Sequence, residues 1–157
     1  MKNHKLKKIL ACFLTAGILK TAYEDSHVKI TEYSVSSKRL PKILAGFRIL
    51  HISDFHNSHL LRQTIKQARL CLPNLIVITG DLIDARRTNT ECAMELCREL
   101  IKLAPVYYVP GNHEASFTDY RNFSKSLIDI GIHVLHNKTE IFTEGDVDIY
   151  ISGINIS

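Results

Sequence analysis

Three short apolar runs in this chain each end in a polar motif, and amphipathic stretches separate the runs. The runs are Arg48–Ser53, Leu75–Thr79 and Val106–Val109. The motifs that follow them are Asp54-Phe55-His56, Gly80-Asp81-Leu82-Ile83-Asp84 and Gly111-Asn112-His113-Glu114. The second run is continuously apolar and β-branched, which is typical of a strand that is covered on both faces. This pattern predicts buried strands with polar residues at their carboxyl ends.

The segments between the runs have helical spacing. Apolar residues recur every three or four positions from Leu61 to Leu72 and from Ala93 to Ile101, and Pro73 and Pro105 end these stretches. Thr88 and Glu91 form a plausible capping box for the second helix. Consecutive strands that are joined by helical crossovers should be parallel, with their carboxyl ends at one edge of the sheet. We therefore predict an α/β fold in which the three motifs meet.

The rest of the chain continues this order. Tyr120, Phe123, Leu127 and Ile128 indicate a third helix, which Gly131 ends. Short strands are predicted at Ile132–Leu135, Glu140–Phe142 and Val147–Ile154, the last two joined as a hairpin. The predicted order is thus β-α-β-α-β-α followed by short strands.

The N-terminal part has a different composition. Lys2, Lys5, Lys7 and Lys8 precede an apolar run from Ile9 to Leu19, which as a helix would cover roughly 17 Å, well short of a ~30 Å hydrocarbon core. We interpret residues 1–25 as a signal or membrane-anchor segment, with an interfacial or buried helix as the alternatives. The flanking charge favours export of the body, so the expected location is membrane-associated or exported, and otherwise cytoplasmic. Residues 26–46 are predicted to be a linker with a strand at Lys29–Val35, and residues 47–157 the patterned domain.

Charge and cysteine content exclude two classes of protein. The net charge of +4 comes from the four N-terminal lysines, and without them 16 basic residues face 16 acidic ones. The body therefore has no nucleic-acid-binding footprint. None of the four cysteines forms a C-x-x-C pair, so neither a zinc–cysteine site nor a disulfide framework is expected.

The three motifs supply the ligands of a divalent metal. Asp54 and His56 project to the same side at i and i+2, and Asp81 follows a glycine that permits a sharp turn. Asn112 adds an amide oxygen, and this mixed N/O set suits Mn, Fe or Zn. His113 could protonate a leaving oxygen, and Glu114 could orient its ring.

In order and context, these residues resemble the calcineurin-like metallophosphoesterase family, whose pattern is D-x-H, G-D-x-x, G-N-H-(D/E), an isolated His and G-H-x-H. The resemblance runs from about Phe47 to Ile154 and looks closest to bacterial, membrane-linked members. It implies the first half of an αββα two-sheet sandwich and hydrolysis of a phosphomono- or phosphodiester by a hydroxide held at two divalent metals. It also implies the roles of individual residues: Asp54 and His56 as ligands of the first metal, Asp81 as the bridging carboxylate, Asn112 as a ligand of the second metal, and His113 as the catalytic imidazole.

The sequence departs from the family pattern after residue 114. The later histidine and the G-H-x-H motif are absent, so the ligand set would be incomplete and the chain is expected to be a weakly active or inactive fragment. Two alternatives stay open: a non-enzymatic, membrane-linked stub that binds metal or a partner, and one half of a split enzyme that a C-terminal fragment would complement. His133 and His136 lie in a predicted strand and are not expected to replace the missing ligands, and Asp84 is interpreted as a turn residue.

Overall fold

The computed structural model describes residues 27–154, so the predicted signal or anchor segment at residues 1–25 lies outside the described residues. The chain divides into two compact units, residues 1–32 and 33–157. A four-stranded parallel sheet dominates the second unit. Its strands are β1 (Ile49–Ile52), β2 (Leu75–Thr79), β3 (Val106–Val109) and β4 (His133–Val134), which are adjacent in that order.

Helices connect these strands, as the periodicity predicts. They are α1 (Leu61–Cys71), α2 (Thr90–Leu100), the single turn α3 (Asn112–Ala115) and α4 (Tyr120–Asp129). A short 3₁₀ helix at Lys42–Leu44 precedes β1, and the hairpin strands β5 (Lys138–Glu144) and β6 (Val147–Gly153) follow β4. The predicted α/β class and element order are confirmed.

The alternation of side chains along the strands builds two apolar layers. Ile76 and Ile78 of β2 face the helices together with Tyr108, in a core that includes Leu96 and Leu127. The intervening positions form a second cluster, which consists of Leu75, Tyr107 and Leu135 with partly buried Val77, Phe142 and Ile151. The hairpin therefore covers the face of the sheet opposite the helices, since successive residues of a strand point to opposite faces.

Three local predictions are wrong. Lys29–Val35 forms no strand, because among residues 27–154 no strand pairs with it, and Tyr33 and Val35 are more than 80% exposed. The cap of α2 is Asn89, whose side chain accepts a hydrogen bond from the Cys92 N–H at 3.1 Å, instead of a Thr88 capping box. Leu72 does not extend the apolar stripe of α1, since it caps the helix in the left-handed conformation and is 70% exposed.

Candidate metal centre

The loops after β1 and β2 run side by side and extend the parallel pairing past the strand ends. The N–H of Asp54 donates to the carbonyl of Gly80 at 3.3 Å, and the N–H of His56 donates to the carbonyl of Asp81 at 2.9 Å. Asp54, His56 and Asp81 all have positive φ, between 48° and 54°. Such conformations are costly for residues other than glycine, and they cluster at functional sites where the surroundings hold them. Here they turn the side chains of the first two motifs onto the carboxyl edge of the sheet.

Two glycines bring the second and third motifs into backbone contact. A Cβ on Gly80, whose φ is +84°, would lie 2.8 Å from the Cα of Gly111. A Cβ on Gly111 would lie 2.2 Å from Oδ1 of Asp81. The close approach therefore requires the absence of a side chain at both positions, which is the physical reason for a glycine at the start of each motif.

Glu114 fastens the two loops together. Its side chain is completely buried, and Oε2 accepts the N–H of Asp81 at 2.8 Å and that of Gly111 at 2.7 Å. Oε1 accepts the N–H of Ile83 at 3.0 Å. The expected orientation of the His113 ring by Glu114 is wrong, because both carboxylate oxygens are engaged by backbone donors. Those donors come from residues more than thirty positions away in two of three cases, so local sequence could not reveal them.

Potential ligand atoms converge at this edge. His56, Asp81 and His113 each offer one atom within 4.8 Å of the others. The Nε2 atom of His56 is 3.9 Å from Oδ2 of Asp81 and 3.7 Å from Oδ1 of Asp54. Donors that share an ion at about 2.0–2.2 Å lie at such separations from one another, so His56 and the two carboxylates fit a divalent cation.

Of the four expected ligands, Asp54 and Asn112 are the exposed ones. Asp54 has a side chain that is 65% exposed, and Ser53 Oγ donates a hydrogen bond to its Oδ2. Asn112 is exposed at the first residue of α3, directly between Gly111 and His113. Both positions are open to solvent, as sites that exchange ions and substrate require.

His113 is held by contacts that the sequence did not indicate. The N–H of Ala85 donates to its Nδ1 at 3.1 Å, and its own backbone N–H donates to Oδ1 of Asp81 at 3.0 Å. Because Nδ1 accepts a hydrogen bond, the neutral ring carries its proton on Nε2. That tautomer makes Nε2 a proton donor. The ring lies edge-on to that of His56, with 4.5 Å between the centroids.

Asp84 also lies next to this ring, with Oδ1 3.4 Å from Nδ1 of His113. The same oxygen accepts the N–H of Arg86 at 2.9 Å, which is the turn geometry expected for this residue. This backbone hydrogen bond lowers the pKa of Asp84, and the neighbouring His113 and His56 lower it further. An ionised Asp84 thus places a negative charge beside the catalytic candidate His113.

His133 and His51 have partners outside this group. His133 Nδ1 is 2.6 Å from Oε2 of Glu140, and its ring stacks on Tyr107. His51 Nε2 is 2.6 Å from the hydroxyl of Thr79, across the β1–β2 pair. Within residues 27–154, the group of potential metal ligands includes neither His133 nor His136.

The sequence matches the family described as calcineurin-like phosphoesterase over residues 47–153. The chain belongs to the calcineurin-like phosphoesterase family. The match covers the sheet, the helices and the hairpin, and it contains all three motifs. It confirms the resemblance that the motifs indicate.

Similar proteins of this family are longer than the present chain. It is 26% identical to a "transmembrane protein with metallophosphoesterase domain" of Danio rerio, and the match covers 82% of this chain and 31% of that protein. It is also 26% identical to the protein of the same name in Bos taurus, and that match covers 96% of this chain and 37% of the relative. It is 28% identical to the "uncharacterized metallophosphoesterase YkuE" of Bacillus subtilis over 67% and 45%. The chain thus spans between 31% and 45% of the length of these relatives. A solved structure, that of TT1561 from Thermus thermophilus, shares the fold at a TM-score of 0.55 and 18% identity, over 68% of this chain and 48% of that chain.

Two further properties of this calcineurin-like phosphoesterase are the length of its apolar helices and the state of its cysteines. Across residues 27–154, no helix is long and apolar enough to cross a membrane. Cys71, Cys92 and Cys97 are free thiols in the described part of the chain, and Cys12 lies outside it.

Proposed function

We propose that this domain hydrolyses phosphomono- or phosphodiesters with the help of divalent metal ions at the carboxyl edge of its parallel sheet. The observation that carries the proposal is the group formed by His56, Asp81 and His113 within 4.8 Å, in a chain of a phosphoesterase family. A phosphate ester is the substrate class that follows, because a cation next to an imidazole suits the charge of a phosphoryl group.

Asp54, His56, Asp81 and Asn112 would hold the metal, with Asp81 as the ligand shared by two ions. A bound Mn, Fe or Zn ion polarises a phosphoryl oxygen and lowers the pKa of water. With Asp81 counted for both ions, one ion would have three of these ligands and the other only two, fewer than the three protein ligands of a typical catalytic zinc site. We therefore expect only low turnover from residues 1–157 alone.

His113 would act on the leaving group. The Ala85 N–H donates a hydrogen bond to Nδ1 of His113, so the proton of the neutral ring is on Nε2. From that position it can donate a proton or a hydrogen bond to the oxygen that departs. Glu114 serves as a positioning residue, because its buried carboxylate fixes the backbone on which Asp81 and His113 stand.

We also propose that the protein is membrane-associated. The apolar run Ile9–Leu19 supports this location, as do the two relatives that are named transmembrane proteins. A second candidate function is a membrane-linked metal-binding or interaction module without turnover. A third is one half of a split enzyme, complemented by a segment that carries G-H-x-H.

Hydrolysis of p-nitrophenyl phosphate and bis(p-nitrophenyl) phosphate by the purified chain, with added Mn²⁺ or Zn²⁺, tests the proposal. We expect low, metal-dependent turnover that Asp81→Asn abolishes and that Asp146→Asn, in the hairpin turn, leaves unchanged. Turnover that persists in EDTA or in Asp81→Asn would overturn it. Metal binding without turnover would favour the second candidate, and a gain on co-expression with a G-H-x-H segment would favour the third.

A further inference from the structure

Two leucines at the C-terminal end of α1 are exposed to solvent. Leu70 is 64% exposed and Leu72 is 70% exposed. Leu72 has φ 47° and ψ 60°, the left-handed conformation in which helix ends favour glycine or asparagine. A bulky apolar residue that is mostly exposed thus adopts a conformation that is unfavourable for it. Strain of this kind commonly accompanies a functional role.

Positive charge surrounds these leucines. The sequence from residue 55 to residue 80 contains no acidic residue, and α1 carries Arg62, Lys66 and Arg69. Arg48 Nη1 donates to the carbonyl of Cys71 at 3.1 Å, which places its guanidinium against the same turn. The groove toward α2 brings Glu95 and Glu99 close to Arg62, Lys66 and Arg69, and Arg69 pairs with Glu99. With Arg48, four basic side chains thus lie near the end of α1 against two acidic ones, and the charge there is positive on balance.

This leucine turn, residues 70–74, lies at the amino edge of the sheet. It leads directly into β2 at Leu75, and the Asn74 N–H donates to the carbonyl of Arg48 at 2.8 Å. Ile49, the first residue of β1, is 56% exposed at the same edge. The metal centre is at the opposite, carboxyl edge, and the four residues of β1 between the two edges span roughly 13 Å. A contact at the leucine turn would leave the metal centre accessible.

We propose that the leucine turn docks onto an anionic lipid bilayer, with Leu70 and Leu72 inserted among the headgroups and Arg48 and Lys66 at the lipid phosphates. Interfacial binding combines a small apolar insertion with attraction to anionic lipid, and the turn offers both. A protein partner would require a larger continuous contact than two leucines provide. The proposal does not depend on hydrolysis, so its test is independent of turnover.

The chain contains no tryptophan, so a single introduced tryptophan reports on its own position. The test uses the 157-residue chain with Leu70→Trp, and Leu72→Trp is a second placement. Ile128→Trp is the matched control, because Ile128 is a helical residue of α4 that is 55% exposed. Each is mixed with vesicles of phosphatidylcholine, with or without phosphatidylglycerol, that carry brominated acyl chains.

We expect a shift of the Leu70→Trp and Leu72→Trp emission to shorter wavelength and quenching by the brominated lipid. Both effects should be stronger with phosphatidylglycerol and reduced by salt, while Ile128→Trp stays unquenched. Equal quenching at all three positions would mean that another part of the chain holds the protein at the bilayer, and would overturn the proposal. So would no quenching at positions 70 and 72. A concentration-dependent shift without vesicles would assign the leucine turn to a second copy of the chain.

Discussion

Replacement of Glu114 by glutamine tests how the second and third motifs are held together. In the native protein, Oε2 accepts two backbone N–H groups and Oε1 accepts one, all within 3.0 Å of a completely buried carboxylate. The amide of Gln retains one acceptor oxygen, which can serve Asp81 and Gly111. Its NH₂ group then faces the N–H of Ile83, so one charge-assisted hydrogen bond is replaced by two opposed donors.

The expected cost follows from those three bonds. A hydrogen bond to a charged group contributes about 1.5–3 kcal/mol, and an unsatisfied buried donor costs about 1–3 kcal/mol. Glu114→Gln should therefore lower the free energy of unfolding by about 2–4 kcal/mol. Glu114→Ala leaves three donors without a partner and should cost more, a large part of the ~5–15 kcal/mol stability of a typical domain.

Urea unfolding followed by circular dichroism measures this loss, and amide hydrogen exchange locates it. The Asp81, Ile83 and Gly111 amides should lose protection in Glu114→Gln. The control is Glu91→Gln on α2, whose side chain is 75% exposed and pairs with Arg98. It should change stability by less than about 1 kcal/mol. Wild-type stability and unchanged exchange in Glu114→Gln would refute the assigned role of Glu114.

Three further outcomes are expected. Gly111→Ala should destabilise the protein by about 1–3 kcal/mol in thermal unfolding, because its Cβ would overlap the carboxylate of the second motif. Gly111 has φ −99°, a conformation that alanine adopts without strain, so an unchanged or raised melting temperature would contradict the close approach. The Lys138 ammonium, and then the His133 ring, lower the pKa of Glu140. The ionised carboxylate therefore stabilises the fold above its unfolded-state pKa, and this stabilisation is lost as the pH falls through the lowered folded-state pKa. Glu140→Gln should flatten the acid side of a plot of unfolding free energy against pH, and a plot like that of the wild type would contradict this. Burial raises the pKa of the Cys97 thiol to about 12, so iodoacetamide should label Cys97 only after the protein unfolds. Mass spectrometry measures the labelling, and rapid labelling of the native protein would contradict the burial of Cys97.

The sheet and its edge could be predicted from sequence because they rest on local patterns. The run Leu75–Thr79 is β2 as predicted, since a continuous β-branched segment needs cover on both faces. The helices could be predicted from the spacing of their apolar residues, and the hairpin from the turn around Gly145. Parallel connectivity then placed three motifs at one edge without any knowledge of side-chain contacts.

The errors arise where distant contacts decide the structure. A strand at Lys29–Val35 would need a neighbouring strand for its backbone hydrogen bonds. The alternation of polar and apolar residues within the segment does not show whether such a neighbour exists. Glu114 follows His113 in sequence, but two of the three backbone donors to its carboxylate come from the loop after β2. The partner of His113, the N–H of Ala85, is 28 residues away and is a backbone group, which leaves no signature in the sequence.

Metal binding by the purified chain tests the central claim most directly. Titration with Mn²⁺ or Zn²⁺ in a calorimeter should give saturable binding for the wild type and for Asp146→Asn. Asp81→Asn should bind at least about tenfold more weakly, a difference of about 1.4 kcal/mol, because the buried carboxylate between the other two motifs is removed. Equal affinity in Asp81→Asn and the wild type would contradict the claim that the three strand-end motifs form a metal centre.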